Sequence, residues 1–479
     1  MRLTEKDVDD CVRVLEALAQ DRSELLQVAL DKRHRLLTAA GRVSRPERSE
    51  QRQLLRAARR KDRNEMRAHD QALLDRTQIR QKRLEPVFVT PDPLELAAAG
   101  GGSSGTLLGE EPALREPRAC YICKTRITQV HAFYDQMCGA CGDFNYAKRT
   151  QTADLRGRVA LISGARVKIG YQAAILLLRA GARVIVTTRF PRDAALRYAR
   201  EKDYPSWAER LQICGLDLRH TPSVEAFAQE LLAREQRLDF MLHNACQTVR
   251  RPAGFYEHLM DGELRPMAEL PEAAQRLLPA PTPASTAGLG VLAEASQSHE
   301  LFPAGKLDAD LQQLDLRDEN SWRLPLDRVG TVELLEVHLV NAIAPFVLNA
   351  RLKPLMLRQP SFDKHIVNVS AMEGQFYRRF KTDKHPHTNM AKAALNMMTR
   401  TSAVDYARDG IFMNSVDTGW VTDEDPFHIA RRKRDECGFH PPLDIVDGAA
   451  RIVDPIFDGH NTGHHVWGKF LKDYKPAAW

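Results

Sequence analysis

At 479 residues with 43% apolar side chains, the chain exceeds one ordinary domain and carries enough apolar material for a sizeable core. Its net charge of +6 is uneven: residues 1–84 hold 21 Lys and Arg against 14 Asp and Glu, which leaves the remainder near neutral. No N-terminal run resembles a signal peptide, no 18-residue apolar stretch is read as a membrane span, and the eight cysteines show no disulfide framework. The sequence is therefore read as that of a cytoplasmic protein with no membrane contact.

In chain order, Thr4 with Asp7 predicts a helix start, and Val8, Cys11, Leu15, Leu18, Leu25, Ala29 and Leu36 then recur at nearly seven-residue spacing. Gly41 is expected to end this helix, and Ser44-Arg45-Pro46-Glu47 to cap a second one running to about Arg83. The second helix is rich in arginine and poor in apolar residues, so most of its surface must be wet. Two readings of this basic region, 1–84, compete: a helical hairpin or coiled coil that mediates assembly, or an arm for nucleic acid or another acidic partner. The interspersed acids and the lack of aromatic residues for base stacking favour assembly, hence a homo-oligomer, with another protein as a second possible partner, and argue against nucleic acid. Residues 85–118, with Pro86, Pro91, Pro93 and the run Ala97 to Gly105, read as a flexible linker.

Within 119–150, Cys120 and Cys123 are followed after fourteen residues by Cys138 and Cys141. Two such CxxC pairs let four thiolates converge on one structural zinc, with Gly139 and Gly142 expected to ease tight turns. His131, between the pairs, is read as a packed or surface histidine rather than a ligand. A cross-braced ubiquitin-ligase module would need about twice as many ligands.

From Val159 the pattern becomes strand, glycine-bearing turn, helix, strand. The apolar run Val159 to Ile162 is followed by Ser163 to Gly170, a helical run to Leu178, and a β-rich run from Val184 to Thr188. Backbone N–H groups at such a turn, opening a helix, suit a pyrophosphate. Residues 156–479 resemble the short-chain dehydrogenase/reductase family. Ser163-Gly164 and Gly170 are similar to parts of its TGxxxGxG turn, and His243-Asn244-Ala245-Cys246 stands where the family has NNAG. Asp217 matches the acidic residue that contacts adenine, and Asn341 the asparagine of the long interface helix. Lys392 matches the lysine of YxxxK, and Thr418-Gly419 to Thr422 the PGxxxT segment at the nicotinamide end. The resemblance implies a doubly wound α/β Rossmann domain, an NAD(P) cofactor held through Ser163, Gly164, Gly170, Asp217, Asn244, Lys392, Gly419 and Thr422, and an oxidoreductase acting on a carbonyl or alcohol. A catalytically weak nucleotide-binding scaffold or sensor remains the alternative.

The departures shape the rest of the expectation. Lys168 replaces the middle glycine beside Arg166; cations at a helix N-terminus cost roughly 0.3–1 kcal/mol unless an anion sits there, which suggests phosphate contact or an exposed loop. The second strand ends at Thr188-Arg189 without an acid for a ribose hydroxyl, so Arg189 and Arg192 favour NADP over NAD. Residues 250–325 form an insertion, to act as a lid or a partner surface, in which Pro279 to Gly290 read as disordered. Aligned through Lys392, Thr388 takes the place of the family's tyrosine; aligned through Gly374, Ala371 takes that of its serine, with Ser370 one residue early. A threonine alcohol does not ionise near neutral pH and cannot replace the phenol as acid. Tyr377 with Lys381, and His385 and His387, are the candidates to supply the proton instead.

Overall fold

The computed structural model describes residues 3–92, 113–280, 301–303, 305–377 and 381–479. The expected glycine-rich part of the linker and most of the proline-rich stretch from Pro279 to Gly290 lie outside the described residues. The chain divides into two compact units, Met1–His69 and Asp70–Trp479.

The first unit is helical. α1, Glu5–Gln20, opens on the expected Thr4/Asp7 capping box, with Asp7 N–H donating to Thr4 Oγ1 and Thr4 N–H to Asp7 Oδ2. The single predicted helix is instead two, because a 3-10 turn at Arg22–Gln27, capped by Asp21, separates α1 from α2, Leu30–Ser44. Gly41 does not end α2, and Ser44 belongs to its last turn, its hydroxyl donating to the Gly41 carbonyl at 3.2 Å. α3 spans Arg48–Leu74. The second predicted helix thus stops at Leu74, and a short helix, Gln78–Lys82, follows separately. No residue of α1 or α2 is buried.

The second unit is built on an eight-stranded sheet. After a two-stranded ribbon, β1 (Arg118–Ala119) with β2 (Arg126–Ile127), and α4 (Gly139–Thr150), the chain enters the sheet through β3 (Val159–Ser163), α5 (Lys168–Arg179), β4 (Arg183–Thr188), α6 (Pro191–Tyr198), β5 (Leu211–Gly215), α7 (Thr221–Arg234) and β6 (Phe240–His243). The insertion contributes α8 (Glu257–Leu264). α9 (Thr331–His338) then runs through a π-helical turn, Leu339–Ile343, into α10 (Ala344–Leu357). β7 (Lys364–Ser370), α11 (Pro386–Arg408), β8 (Ile411–Asp417), α12 (Phe427–Cys437), α13 (Ile445–Thr462), β9 (Phe470–Lys472) and β10 (Lys475–Ala477) complete the unit. The sheet order is β10-β9-β8-β7-β6-β3-β4-β5, every neighbouring pair parallel except β10 with β9. This is the expected Rossmann order, reversing direction at β3.

Parallel strands buried on both faces need apolar side chains at successive positions, and β3 and β7 are buried along their whole length. Alternate residues serve opposite layers. Ile162 packs with Ala174 and Leu177 of α5 and Ile452 and Ile456 of α13, while Leu161 packs with Phe227 and Leu231 of α7 and Leu348 and Leu352 of α10. Against the expectation that no stretch could span a membrane, the helix Thr331–Leu357 is long and apolar enough to do so by length and composition. In the fold its C-terminal part joins α7 in the layer covering one face of the sheet, with Leu352 and Leu355 fully buried.

Candidate functional site

A cleft of about 1170 Å³ opens at the carboxyl ends of β3, β4, β6, β7 and β8. At its floor β3 delivers Ser163, and the chain turns through Gly164 at φ +70° into α5. A Cβ on Gly164 would lie 2.6 Å from Ala245 Cα, and one on Gly170 2.3 Å from Asn244 Nδ2, so both positions require glycine. Asn244 Nδ2 donates to the Gly164 carbonyl at 2.9 Å, and Ala245 N–H to Ser163 Oγ at 3.1 Å, which locks the two loops together. No side chain caps the N-terminus of α5, leaving its first N–H groups for an anion.

The two cations of this turn differ. Arg166 is buried, ion-paired with Asp193 at 2.6 Å and donating to Gln312 Oε1 at 2.5 Å, so it braces the insertion instead of being free for a phosphate. Lys168 lines the cleft at φ +59° and makes no ion pair within 4 Å among the described residues. Burial pulls its pKa down, but the fields of Asp310, Glu424 and Asp308 raise it overall. Its ammonium therefore stays charged.

On the β4 side of the cleft Arg189 lines the wall, its Nη2 donating to the Tyr256 hydroxyl at 2.7 Å and its guanidinium lying 4.6 Å from the Tyr256 ring centroid. Arg192 is not beside it: its guanidinium donates to the Glu263 carbonyl, and its N–H to the Glu263 carboxylate at 3.1 Å. The expected pair of arginines thus reduces to Arg189. Asp217 also lines the cleft, but its carboxylate already accepts from Arg219 Nη2 at 2.6 Å and Nε at 3.0 Å.

The other end holds the residues expected to do chemistry. Lys392 is buried on α11, its Nζ donating to the Val369 carbonyl at 2.8 Å; a Cβ on Gly374 would lie 2.7 Å from the Lys392 carbonyl carbon. One turn earlier Thr388, also buried, donates to the Thr248 carbonyl at 3.4 Å. Asn341 sits in the π-helical turn and donates to the Gln247 and Val337 carbonyls, both at 2.8 Å, so it braces a cleft-lining loop from behind. Ala371 and Ser370 both line the cleft, and the Ser370 hydroxyl is buried without a partner. Gly419 and Thr422 line the same end. Tyr377 does not. It is 50% exposed, with its hydroxyl 3.9 Å from Met372 Sδ. His385 lines the cleft, stacked on Trp322 at 4.0 Å, and burial together with the nearby His387 lowers its pKa to about 4. His387 is buried toward Glu333 and is not part of the lining.

The four cysteines of the CxxC pairs converge, their sulfurs all within 4.8 Å of one another and Cys123 Sγ 3.7 Å from Cys138 Sγ. Zinc–sulfur bonds of about 2.3 Å in a tetrahedron place sulfurs about 3.8 Å apart, so the set fits one metal ion held by four thiolates. His131 is buried and is not a member: its Nδ1 accepts from the Phe133 and Tyr134 N–H groups at 3.0 and 3.2 Å. Gly139 and Gly142 lie in the first turn of α4, not in loops, and Gly142 is needed because a Cβ there would lie 2.4 Å from the His131 ring. The module shares one core with the sheet domain, Phe133 and Tyr134 packing with Val421, Leu443 and Ile445.

The short chain dehydrogenase profile matches residues 158–263, and a profile described as enoyl-(acyl carrier protein) reductase matches residues 324–435. An uncharacterised protein of Acanthamoeba polyphaga mimivirus is 33% identical over 371 residues, 74% of this chain and 74% of that protein. The chain belongs to the short-chain dehydrogenase/reductase family. Bovine dehydrogenase/reductase SDR family member 13 is 38% identical to this chain over 104 residues, which is 21% of the chain and 27% of that relative's length. The NADPH-bound carbonyl reductase from chicken fatty liver aligns with 68% of the chain and all of its own at 18% identity, with a TM-score of 0.42. The two profile matches leave residues 264–323 between them, inside the insertion.

Several cleft residues carried no signal in the sequence. Tyr256, Asp308, Gln312 and Trp322 come from the insertion and Tyr121 from the cysteine module, segments for which the resemblance offers no template. The closeness of Arg250 and Arg251 to Phe255 and Tyr256 is the one sequence feature there that hints at a structured rim.

Proposed function

We propose that the protein binds NADP(H) in this cleft in preference to NAD(H), and that its oxidoreductase site is degenerate, so that ordinary aldehydes and ketones are reduced negligibly. The observation that carries this reading is Thr388, buried one turn before Lys392 with its hydroxyl on the Thr248 carbonyl, where the family's acid would stand. Losing a general acid typically costs about 10²–10⁴ in rate and losing an oxyanion donor about 10²–10³. The remaining groups do not make up the loss. A histidine with a pKa near 4 is almost wholly neutral at pH 7, so His385 is a poor acid, and Tyr377 is outside the lining.

The bound dinucleotide would supply the hydride. The chain's own part is to hold it: the uncapped N-terminus of α5 with Lys168 at the pyrophosphate, Arg189 at a 2′-phosphate, Lys392 and the unpartnered Ser370 hydroxyl at the nicotinamide end. The four cysteines are assigned to one structural zinc, which suits a reducing cytoplasm. The second reading, a nucleotide-binding scaffold acting with a partner, is favoured by α1, which exposes Val8, Val12 and Leu15 and buries nothing; a second copy of the chain is the partner proposed, not nucleic acid.

Titration calorimetry with both nucleotides, with a carbonyl panel assayed for NADPH oxidation, tests the reading. NADPH is expected to bind more tightly than NADH, and Arg189→Asp to weaken NADPH about ten- to a hundredfold while sparing NADH. Thr388→Tyr with Ala371→Ser is expected to gain turnover. Equal affinities, or robust turnover by the parent that survives replacing Tyr377, His385 and His387, would contradict it.

A further inference from the structure

The cysteine module reaches the cofactor cleft through one side chain. Tyr121, the residue after the first cysteine, lines the cleft and accepts a hydrogen bond on its hydroxyl from the Trp420 N–H at 3.0 Å. Trp420 directly follows Gly419, where a Cβ would lie 3.2 Å from the same hydroxyl and 2.5 Å from Leu443 Cδ1, so the tyrosine packs against the turn as well as bonding to it. The turn has other ties as well, among them Thr418 Oγ1 donating to the Gly419 carbonyl at 3.4 Å and the Trp420 ring lying 4.6 Å from that of Phe439. Gly419 N–H donates to Asp417 Oδ1 at 3.3 Å, and the Trp420 carbonyl accepts from Leu443 N–H at 3.3 Å. Asp417 is itself held by Lys472 at 2.9 Å, whose ammonium lies 6.0 Å from the Tyr121 ring centroid. Tyr121 is in turn fixed by its place in the knuckle. Its N–H donates to the Gln136 carbonyl at 2.7 Å, its carbonyl accepts from Lys124, and Cys120 and Cys123 flank it.

We infer that Tyr121 is a positioning residue for the nicotinamide half of the bound dinucleotide, and that the zinc-type knuckle is thereby a working wall of the cofactor cleft. The inference rests on the dinucleotide reading above. A tetrahedral thiolate cluster would fix the CxxC backbone, the backbone fixes the tyrosine, and the tyrosine fixes the Gly419–Trp420 end of the turn, where Trp420 is 46% exposed, while Val421 anchors its other end in the shared core. A residue acting this way should affect the nicotinamide half and not the adenosine half, which binds at Arg189 on the far side of β3.

The test measures zinc content and the affinities of NADPH and of 2′,5′-ADP for the full chain, for Tyr121→Phe and for Cys123→Ser. The parent is expected to hold about one zinc and to bind both ligands. Tyr121→Phe keeps the ring and the four thiols, so it should retain zinc and bind 2′,5′-ADP as the parent does, while NADPH binding weakens about three- to tenfold, the loss of one neutral hydrogen bond. Cys123→Ser, at an exposed thiol, should lose zinc and reproduce the same selective loss. Unchanged NADPH affinity in Tyr121→Phe overturns the inference, as does an equal loss for both ligands, which would mark a general structural role. A zinc-free Cys123→Ser protein with parental NADPH affinity overturns the link to the metal. A parent that binds 2′,5′-ADP but gains nothing from the nicotinamide half defeats this inference alone, whereas a parent that binds neither ligand defeats the dinucleotide reading.

Discussion

Lys168 shows how one position can serve folding and binding in opposite directions. A lysine held at φ +59° where the turn prefers glycine costs about 1–2 kcal/mol, and a cation at a helix N-terminus adds to that cost. Three carboxylates, Asp308, Asp310 and Glu424, keep its ammonium charged, so what it forfeits in backbone strain it offers to an anion. Lys168→Gly relieves about 1 kcal/mol of strain but strips these carboxylates of their cation, so it is expected to gain no stability and to weaken NADPH by about tenfold or more through loss of a charge-assisted contact. Calorimetry on the pair checks this; a variant that binds NADPH equally well contradicts the account. The sequence announced this residue because it broke a glycine pattern. It did not announce Arg166 as structural, since the Asp193 and Gln312 that claim it lie 27 and 146 residues away.

Among the elements, the parallel strands were legible because two-sided burial leaves apolar runs, as in Val159–Ser163 and Arg183–Thr188. The helices before residue 75 were legible in kind but not in extent. Where nothing is buried, no apolar stripe fixes an end, and local chemistry such as the Asp21 cap decides. The break that matters most is at the end of α3. Asp70 accepts from Arg115 and Glu116 N–H groups at 2.8 and 3.0 Å, Leu73 and Leu74 are buried, and Arg80 is paired with Asp135 at 2.7 Å, so residues expected to belong to the basic region are part of the sheet domain's unit. A shortened chain starting at Lys61, which keeps the last turns of α3, is expected to fold, to keep the parental melting temperature within a few degrees and to show fewer subunits per particle by scattering than the full chain if α1 and α2 mediate assembly. A chain starting at Glu116 is expected to melt lower, because it leaves Asp135 buried without its arginine, a loss of about 3–5 kcal/mol. Equal melting temperatures for the two would refute that division, and an equal number of subunits per particle in full and shortened chains would refute assembly through α1 and α2.

For the molecule as a whole, buried histidines set the acid limit. Burial, outweighing its bond to Asn349, lowers the pKa of His243 to about 4; burial and His387 do the same for His385, and burial with Arg80 and Arg83 for His440. Below about pH 6.5 the unfolded chain takes up protons that these three refuse until about pH 4, so the unfolded state binds more protons and stability falls as pH falls through that window. Glu263 and Asp454 have the opposite sign: burial raises their pKa values to about 7 and about 6, and their penalty eases over the same range. Three groups outweigh two, and the urea midpoint is expected to be lower at pH 5 than at pH 7; an equal or higher midpoint at pH 5 would show that these histidines are solvated. The core shared by the cysteine module and the C-terminal helix has a consequence in time. Tyr134 donates to Asp447 at 2.5 Å across 313 residues, and Leu443 and Ile445 fill the space beneath it. At ribosomal rates of about 5–20 residues per second, roughly 15–60 s separate synthesis of the two halves of that core. During that interval the nascent module lacks the Leu443 and Ile445 side of its core, and its own ties, such as the Arg80–Asp135 pair, together with any metal ion taken up by the four sulfurs, would hold its shape until the C-terminus arrives.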